Sequence, residues 1–324
     1  MIEISVIICT CNRSNDLKDI LDCLLNQKFE ANWDYEVIIA DNNSRDNTRE
    51  VVESYMSKFK GNLRYLFEHR QGKPFALNFA IKEAKGRILA FTDDDCLLEE
   101  SYLMSIYKIF REYDNDVGIL GGKIFPRWIN CSPPAWLNEI FAQPPESKDG
   151  KPNFNKITLQ GVLGILDYGN KPFIIDCNQK NHNFHEFYGA NLAIKKNVLN
   201  EYGYFNLKKT RSQDSEICLR LFKAGVKGIY APNVIVYHKI RNSNITPRYY
   251  YKWCFNDGKN SELRENFQRK FYHPFGIQLD FILKTINIFK RSFFVEEPFR
   301  KIVYRCELFF NLGQMVKLFK ENII

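Results

Sequence analysis

The sequence contains no uninterrupted run of 18 apolar residues, although 45% of its 324 residues are hydrophobic. A helix that crosses a membrane needs about 20 such residues. The apolar start at Ile4 to Cys11 follows no basic leader and precedes no small-residue cleavage site. These absences predict a cytoplasmic protein that is neither exported nor anchored by a spanning helix.

Paired metal-binding cysteines are also missing. The chain has nine cysteines, an odd number, and Cys9 and Cys11 form a C-x-C. No second pair at the spacing of a zinc site accompanies them, so a structural zinc site is not expected. We predict free, mostly buried thiols in a reducing compartment.

Two common phosphate-binding signatures are absent. Neither G-x-G-x-x-G nor G-x-x-x-x-G-K-[ST] follows the strand predicted at Glu3 to Cys9. The loop after that strand, Thr10-Cys11-Asn12-Arg13, contains no glycine at all. If the protein binds phosphate groups, a metal ion is expected to hold them.

What the sequence does have is a regular alternation of apolar strands and amphipathic helices. This alternation predicts an α/β fold, a doubly wound and mainly parallel sheet with helices on both faces. The loops after Cys9, Ala40 and Thr92 would then meet at the carboxyl edge of the sheet, where such folds bind ligands. The first four predicted strands are Glu3 to Cys9, Glu36 to Ala40, Leu63 to Phe67 and Ile88 to Thr92, and the helices between and after them are Asn15 to Gln27, Thr48 to Phe59, Lys73 to Ala84 and Leu103 to Tyr113.

Three consecutive carboxylates, Asp93 to Asp95, follow the fourth of these strands. Adjacent like charges repel each other unless a cation or several hydrogen-bond donors neutralise them. Oxygen ligands of this kind favour Mg²⁺ or Mn²⁺, which usually complete their coordination with substrate phosphates. The pattern therefore predicts a metal site, and the alternative is a solvated acidic turn.

Further polar residues lie at the ends of later elements. Asp214 falls at or near the start of a predicted helix, where the alternative to a functional carboxylate is a simple N-cap. His238 follows an apolar strand, and it is either a ligand or a structural histidine. Gly189-Ala190-Asn191 belongs to a short strand predicted over Phe187 to Ile194, and its small residues would let a ligand approach closely.

The chain divides into three predicted segments. Residues 1–125 hold the regular alternation, residues 126–240 begin with a proline-rich, irregular excursion that ends at Gly161, and residues 241–324 are predicted to be helical. In the last segment Lys and Arg outnumber Asp and Glu by 15 to 8, against 31 to 30 in residues 1–240. The positive charge of the protein therefore belongs to its C-terminal region.

This basic region allows two interpretations. It is either a helical appendage with a solvated basic face or a peripheral attachment to an anionic membrane, whose surface attracts Lys and Arg. Apolar stripes at Phe275 to Phe289 and Ile302 to Leu318 agree with both. No nucleic-acid-reading motif is recognisable, so no nucleic-acid partner is expected.

The order and spacing of the polar motifs closely resemble glycosyltransferase family 2, the inverting transferases of the GT-A fold. The resemblance covers about residues 2 to 240. It rests on Thr10-x-Asn12-Arg13, Asp41-Asn42-x-Ser44-x-Asp46-x-Thr48, Gly72 to Asn78, Asp93-Asp94-Asp95, Gly189-Ala190-Asn191, Gly203-x-Phe205 and Asp214-x-Glu216.

The resemblance implies a role for each matched position. Residues 1–125 would bind the nucleotide-sugar donor, and residues 126–240 would bind the acceptor and carry the catalytic base, Asp214. The outer carboxylates of the D-x-D motif, Asp93 and Asp95, would hold Mn²⁺ or Mg²⁺ together with His238. The implied donor-binding residues are Thr10, Asn12, Arg13, Asp41, Asn43, Lys73, Asn78, Asp93 and Asp94, and the expected acceptor-side residues are Gly189, Ala190, Asn191, Gln213 and Trp136.

The sequence departs from the family pattern at two places. Gln213 stands where the family usually has a glutamate before the catalytic aspartate, which affects how the acceptor is oriented. The Q-x-x-R-W motif of processive members is absent, since the nearest aromatic stretch is Tyr249 to Trp253. We therefore expect addition of one sugar per encounter.

The predicted function is a metal-dependent inverting glycosyltransferase. It would move one sugar from a nucleoside diphosphate sugar, in the first instance a UDP-sugar, to a hydroxyl of a glycan or lipid-linked acceptor in surface polysaccharide or glycoconjugate synthesis. Its expected location is the cytoplasm, peripheral at the inner face of the cell membrane. The alternatives are a non-catalytic sugar-nucleotide-binding or membrane-associated scaffold and a sugar-nucleotide nucleotidyltransferase, although the latter normally needs a glycine-rich loop after the first strand.

Overall fold

The computed structural model describes residues 2–28, 34–114, 116–142, 159–176, 186–209, 211–260 and 274–320. They belong to two compact units. The first comprises Met1–Arg127 and Gly164–Lys239, and the second comprises Trp128–Leu163 and Ile240–Ile324. Residues 143–158 of the predicted proline-rich excursion lie outside the described residues.

The first unit is built on a mixed sheet of nine strands. The strands are β1 (Ile2–Thr10), β2 (Asp34–Asp41), β3 (Leu63–Phe67), β4 (Ile88–Asp93), β5 (Cys96–Leu98), β6 (Ile119–Trp128), β7 (Phe173–Ile175), β8 (Leu192–Lys195) and β9 (Gly228–Ile240). Their order is β3-β2-β1-β4-β8-β6-β9-β5, with β7 also paired to β9. The first four strands in this order pair in parallel, whereas β8 runs antiparallel to β4 and β6.

Helices flank this sheet and form much of the second unit. In the first unit they are α1 (Ser14–Leu25), α2 (Thr48–Met56), α3 (Lys73–Glu83), α4 (Tyr102–Glu112), α6 (Lys196–Tyr202) and α7 (Gln213–Lys223). In the second unit they are α5 (Ala135–Ala142), α8 (Pro247–Asn260), α9 (Pro274–Phe294) and α10 (Pro298–Lys320).

The central strands explain why helices cover both faces of the sheet. Ile4, Val6, Ile7 and Ile8 of β1 are fully buried although consecutive side chains point to opposite faces. A strand of this kind must be covered on both sides, which α1, α3 and α4 help to achieve with their own buried apolar residues. The predicted α/β fold class and the helical C-terminal extension are both confirmed.

The strand register places the predicted polar loops at one edge of the sheet. Thr10 of β1 lies beside Asp41 of β2, and Cys9 lies beside Asp93 of β4. Because β1, β2 and β4 are parallel, their carboxyl ends all face the same way. The residues that follow these strands therefore start from a common edge.

The structure corrects two predicted strands. Gly189–Asn191 forms a single 3-10 turn, and the strand starts only at Leu192. The reason is the buried Asn191 side chain, whose Nδ2 donates to the carbonyl oxygens of Lys123 and Val234 at 2.9 Å each. His238 does not follow a strand but lies inside the 13-residue β9, opposite Cys96 of the short β5.

The helical second unit depends on two glycines at one crossing. A Cβ at Gly258 of α8 would lie 2.0 Å from the carbonyl oxygen of Phe310, and a Cβ at Gly313 of α10 would lie 2.1 Å from that of Phe255. Glycine at both positions lets the two backbones touch. Within the described ranges, no helix combines the length and apolar content that a membrane span requires.

A buried carboxylate joins the amino ends of the parallel strands. Glu36 of β2 accepts hydrogen bonds from Ser5 Oγ at 2.7 Å and from Lys85 N at 2.5 Å. Arg64 Nη1 of β3 lies 3.1 Å from its second carboxylate oxygen. Ser5 Oγ in turn accepts from Gly86 N at 2.8 Å. This network holds β1, β2, β3 and the start of β4 in register.

We predict that Glu36→Ala lowers the free energy of unfolding by about 3 kcal/mol, because it leaves buried donors and a cation without their partner. Glu53→Ala is the matched control, since Glu53 pairs with Arg49 on the exposed surface of α2. Its loss should stay within about 0.5 kcal/mol. Urea unfolding followed by circular dichroism measures both, and equal losses would contradict the role given to Glu36.

Candidate active site

The carboxylate after β4, Asp94, is tied to the loop after β1. Thr10 Oγ1 donates to Asp94 Oδ2 at 2.7 Å, and Arg13 Nη1 donates to Asp94 Oδ1 at 3.0 Å. Asp94 is buried. Two residues predicted from the first polar loop therefore neutralise the middle carboxylate of the motif, and the alternative of a solvated acidic turn does not apply to it.

Asp95 is shared between Arg13 and His238. Arg13 Nη1 donates to Asp95 Oδ2 at 2.5 Å, and His238 Nε2 lies 3.2 Å from Asp95 Oδ1. A Cβ at Gly164 would lie only 3.2 Å from His238 Nδ1, so this glycine packs directly against the imidazole. Gly164 was not among the predicted site residues, because no local pattern in the sequence indicates its positive φ of 66°.

The first carboxylate of the motif, Asp93, pairs with a lysine at the start of α3. Lys73 Nζ donates to Asp93 Oδ1 at 2.5 Å. Burial acts to lower the pKa of Lys73, but the charges of Asp93 and Asp214 and the hydrogen bond to Asp93 outweigh it and raise that pKa. Lys73 is therefore a fixed positive charge that interacts with both Asp93 and Asp214.

The two buried carboxylates have opposite pKa shifts. Burial raises the pKa of Asp94 to about 6, although Arg13 and Thr10 oppose the shift. Burial also acts to raise the pKa of Asp95, but the hydrogen bonds and charges of His238 and Arg13 prevail and hold it well below its ordinary value. Asp95 is therefore a carboxylate that stays charged, the form that a divalent ion requires.

The donor set around Asp95 fits a divalent metal ion. Asp95, Cys96 and His238 present ligand atoms that all lie within 4.8 Å of one another. Burial raises the pKa of the Cys96 thiol well above its usual value, which keeps this sulfur protonated. The remaining oxygen and nitrogen ligands suit Mn²⁺ better than Mg²⁺, because Mg²⁺ prefers oxygen ligands alone.

Asp41 and its neighbours build a rigid loop beside β1. Asp41 Oδ1 accepts from Ser44 N at 2.8 Å, and Asp41 Oδ2 accepts from the hydroxyl of Tyr65 at 2.6 Å. Asn12 links the two loops. Its backbone N donates to Ser44 Oγ at 2.9 Å, and its side-chain Oδ1 accepts from Arg45 N at 2.7 Å. These hydrogen bonds connect the loop after β1 to the loop after β2.

Two asparagines in this loop region differ in what they contact. Asn43, a predicted donor contact, has a positive φ of 66° and donates to Gln71 Oε1 at 3.3 Å from the exposed surface. Asn42 is buried, donates to the carbonyl oxygen of Arg70 at 2.7 Å and accepts from Gly72 N at 2.8 Å. Asn42 was not among the predicted site residues, although it stands next to Asp41 in the motif.

The proposed catalytic base lies in the first turn of α7. The N-cap of this helix is Ser212, with a positive φ of 54°, so Asp214 is not the cap. Its Oδ2 accepts from Gly189 N at 2.8 Å, and a Cβ at Gly189 would lie 3.6 Å from that oxygen. The structure thus brings these two predicted residues together, and a Cβ at position 189 would make only ordinary van der Waals contact with the carboxylate.

Other predicted site residues occupy several environments. Asn191 is fully buried and its amide donors are used by backbone carbonyls, while Ala190 is buried beside it. Asn78 exchanges two hydrogen bonds with the backbone of Phe205, at 2.8 and 3.0 Å, and so holds that loop. Gln213 is half-buried at the start of α7. Trp136 lies in the second unit, edge to face with Tyr250 at 5.0 Å.

The sequence matches two family models and several known proteins. The model of Glycosyl transferase family 2 matches residues 5–136, and that of Glycosyl transferase family group 2 matches residues 170–286. The chondroitin synthase of Pasteurella multocida (strain Pm70) is 28% identical over 230 residues, which are 69% of this chain and 23% of that protein. The chain thus spans about a quarter of the length of this relative.

Two solved structures share the fold. The mannosyltransferase PcManGT of Pyrobaculum calidifontis, in complex with GDP-Man and Mn²⁺, has a TM-score of 0.55 at 18% identity, covering 99% of this chain and 75% of that one. TarS 1-349 of S. aureus, in complex with UDP-GlcNAc, has a TM-score of 0.50 at 17% identity, covering 99% and 92%. At these identities the likeness concerns the fold.

The flanked sheet has the GT-A fold of these structural neighbours. Residues 5–136 belong to glycosyltransferase family 2, and residues 170–286 match glycosyltransferase family group 2.

We predict that Asn42→Ala loosens the segment from Glu68 to Gly72, because it removes the three hydrogen bonds between the Asn42 side chain and this turn. The free energy of unfolding should fall by about 2 kcal/mol, and the Gly72 amide should exchange its hydrogen faster. Hydrogen exchange followed by mass spectrometry measures this. Asn26→Ala is the control, because the exposed Asn26 donates only to the Asp22 carbonyl of its own helix at 3.0 Å. Unchanged hydrogen-exchange protection of the Gly72 amide would contradict the role given to Asn42.

Proposed function

We propose that the protein is a metal-dependent, inverting glycosyltransferase that transfers one sugar from a nucleoside diphosphate sugar, with UDP as the preferred nucleotide, to a hydroxyl of a glycan or lipid-linked acceptor. The observation that carries the proposal is the pairing pattern at the sheet edge. Lys73 donates to Asp93, and Thr10 and Arg13 donate to Asp94 and Asp95, so the D-x-D carboxylates are held in one cluster; the charge of Asp214 of α7 also helps to raise the pKa of Lys73. Transfer chemistry needs the donor-binding carboxylates and the base close together.

The donor would lie along the loops after β1 and β2. Thr10, Asn12, Asp41 and Asn43 are the proposed contacts to the base and ribose, in loops that Asn12 joins through hydrogen bonds with Ser44 and Arg45. Arg13 and Lys73 supply positive charge for the diphosphate. Preorganised donors of this kind lose little entropy when the donor binds. The UDP-GlcNAc complex of TarS supports uracil as the first base to test.

Asp93, Asp95 and His238 would hold the metal. When bound, a divalent ion acts as a Lewis acid that stabilises the negative charge developing on the leaving diphosphate. The lowered pKa of Asp95 and the imidazole of His238 support a divalent ion, and Mn²⁺ is the ion named in the PcManGT complex. Asp94, between the two proposed ligands Asp93 and Asp95, is the third carboxylate at this edge of the sheet.

Asp214 is the proposed general base. It would take the proton of the acceptor hydroxyl as that oxygen attacks the anomeric carbon from the side opposite the diphosphate. The hydrogen bond from Gly189 N orients the carboxylate, and each oxygen keeps a lone pair for the acceptor. General-base catalysis of this type contributes about 10²- to 10⁴-fold. A single displacement inverts the anomeric configuration and needs no nucleophilic residue of the protein.

The acceptor proposal follows from the relatives. The relatives include a chondroitin synthase and the poly(ribitol-phosphate) β-N-acetylglucosaminyltransferase TarS. We therefore place a glycan hydroxyl opposite Asp214, near Gly189, Ala190 and Gln213. The assignment of residues 1–125 to the donor and 126–240 to the acceptor is part of this proposal, as are the acceptor roles of Asn191 and Trp136 and the donor role of Asn78.

The donor is tested by thermal unfolding of the full chain with UDP-, GDP- and dTDP-sugars, each with Mn²⁺ or with a chelator. We expect a UDP-sugar with Mn²⁺ to raise the melting temperature by several degrees, because a ligand at about 100 times its Kd stabilises by about 2.7 kcal/mol. Asp95→Ala should lose this shift. Asp116→Ala, which removes an exposed carboxylate, is the control and should keep it. A shift that does not need the metal would contradict the metal-dependent site.

The base is tested separately by Asp214→Asn. This variant should bind the donor as the wild type does, because Asp214 does not hold the diphosphate, but it should lose about 10²- to 10⁴-fold in turnover. Product analysis by mass spectrometry with glycan acceptors measures the turnover. Donor binding without any turnover in both proteins would instead favour a non-catalytic sugar-nucleotide-binding protein.

A further inference from the structure

Helix α9 has one face that packs within the second unit. Thr285, Ile288 and Ser292 are buried, and the helix contacts α10. The spacing of three and four residues puts these three side chains on one side of the helix. Two of these three buried side chains are polar. Burial of this side therefore does not account for the other apolar residues of α9.

The opposite face of α9 is strongly apolar and exposed. Phe293 is 65% exposed and Phe294 is 83% exposed. At 100° per residue, the exposed apolar side chains span an arc of roughly 140° on the side away from Ile288. We define the apolar face of α9 as Leu283, Ile286, Phe289, Phe293 and Phe294.

The concentration of these residues is unusual within the described part of the protein. They are five of the ten large hydrophobic side chains that are exposed there. The other five, among them Ile174 and Leu207, belong to different elements. Single exposed hydrophobic residues are normal on protein surfaces, but a contiguous group marks an interaction surface.

Positive charge accompanies the apolar face. Lys290 and Arg291 are exposed on the same helix. At 100° per residue, Lys290 falls inside the apolar arc, whereas Arg291 falls about 60° outside it, between the apolar face and Ile288. Residues 241–324 carry 15 Lys and Arg against 8 Asp and Glu, so the surrounding region is basic as well. The surface thus combines aromatic rings with cations, a composition suited to an anionic lipid bilayer.

The position of Lys290 favours a bilayer over a second copy of the chain. A self-association through the apolar face would remove the Lys290 ammonium from water, which is costly for a charge. At a bilayer surface, the aliphatic stem of Lys290 stays among the apolar side chains while its ammonium reaches the lipid phosphates. The phenylalanine rings would enter the boundary between headgroups and acyl chains.

We propose that the apolar face of α9 docks the protein on an anionic lipid bilayer, with the helix lying in the plane of the interface. This inference goes beyond the proposed function and does not depend on it, because it uses no residue of the candidate active site. It specifies which of the basic helices contacts the lipid and which side chains enter it.

The test is co-sedimentation of the full chain with vesicles of phosphatidylcholine alone or mixed with phosphatidylglycerol. The wild type should bind the mixed vesicles, less so at high salt and less so to phosphatidylcholine alone. Phe293→Ser/Phe294→Ser should weaken binding by about tenfold or more, because it removes the two most exposed rings. Lys290→Glu/Arg291→Glu should abolish the preference for the anionic lipid. The matched control, Ile174→Ser/Leu207→Ser, removes two exposed apolar side chains elsewhere and should bind as the wild type does.

A second measurement locates the contact. Phe293→Trp should gain fluorescence quenched by brominated lipid, whereas Ile174→Trp should not. Circular dichroism of every variant checks that it is folded. Undiminished binding by Phe293→Ser/Phe294→Ser, no binding by the wild type, or a concentration-dependent dimer that this double variant abolishes in the absence of vesicle binding would each overturn the proposal.

Discussion

Three adjacent carboxylates at the carboxyl edge of a sheet repel one another, and much of the first unit is arranged to neutralise them. Lys73 pairs with Asp93, Thr10 and Arg13 bind Asp94, and Arg13 and His238 flank Asp95. These partners come from the loop after β1, from α3 and from β9. The loss of any one of them would leave a buried or half-buried negative charge, which costs far more than a surface ion pair contributes.

This arrangement also determines what the site can accept. In the proposed donor complex, Arg13 and Lys73 would offer positive charge to the phosphate oxygens, and Asp93, Asp95 and His238 would hold the ion. The ion would supply positive charge against the negative charge of the diphosphate. Asp214, held by the Gly189 amide, is not one of these groups.

The second unit follows a different principle. Its helices α8 and α10 approach so closely that only glycine fits at Gly258 and Gly313, and the two helix backbones are in direct contact there. Helix α9 packs against α10 with Thr285, Ile288 and Ser292 and leaves its large apolar side chains outside. With the proposed lipid contact, the proposed transferase site and a membrane-binding surface belong to one chain. Such a pairing would suit an acceptor that is carried on lipid.

Local patterns in the sequence were enough to place β1 to β4, α1 to α4 and the order of the polar loops. The reason is that burial on both faces leaves continuous aliphatic runs in β1, β2 and β4, and the loops after them stand out as polar. The D-x-D carboxylates, Asp214 and His238 could be named on this basis. Gly189 to Asn191 could not be assigned correctly, because the hydrogen bonds of Asn191 to Lys123 and Val234 connect residues 68 and 43 positions away.

Only the tertiary structure determined which side chains form hydrogen bonds or ion pairs with each carboxylate. Arg13 and Asp95 are 82 residues apart, and Asn78 and Phe205 are 127 apart, so no local pattern could reveal these contacts. It also decided the direction in which α9 faces. An apolar stripe in a sequence shows that one side of a helix avoids water, but the packing of the neighbouring helices determines whether that side turns inward or is left exposed.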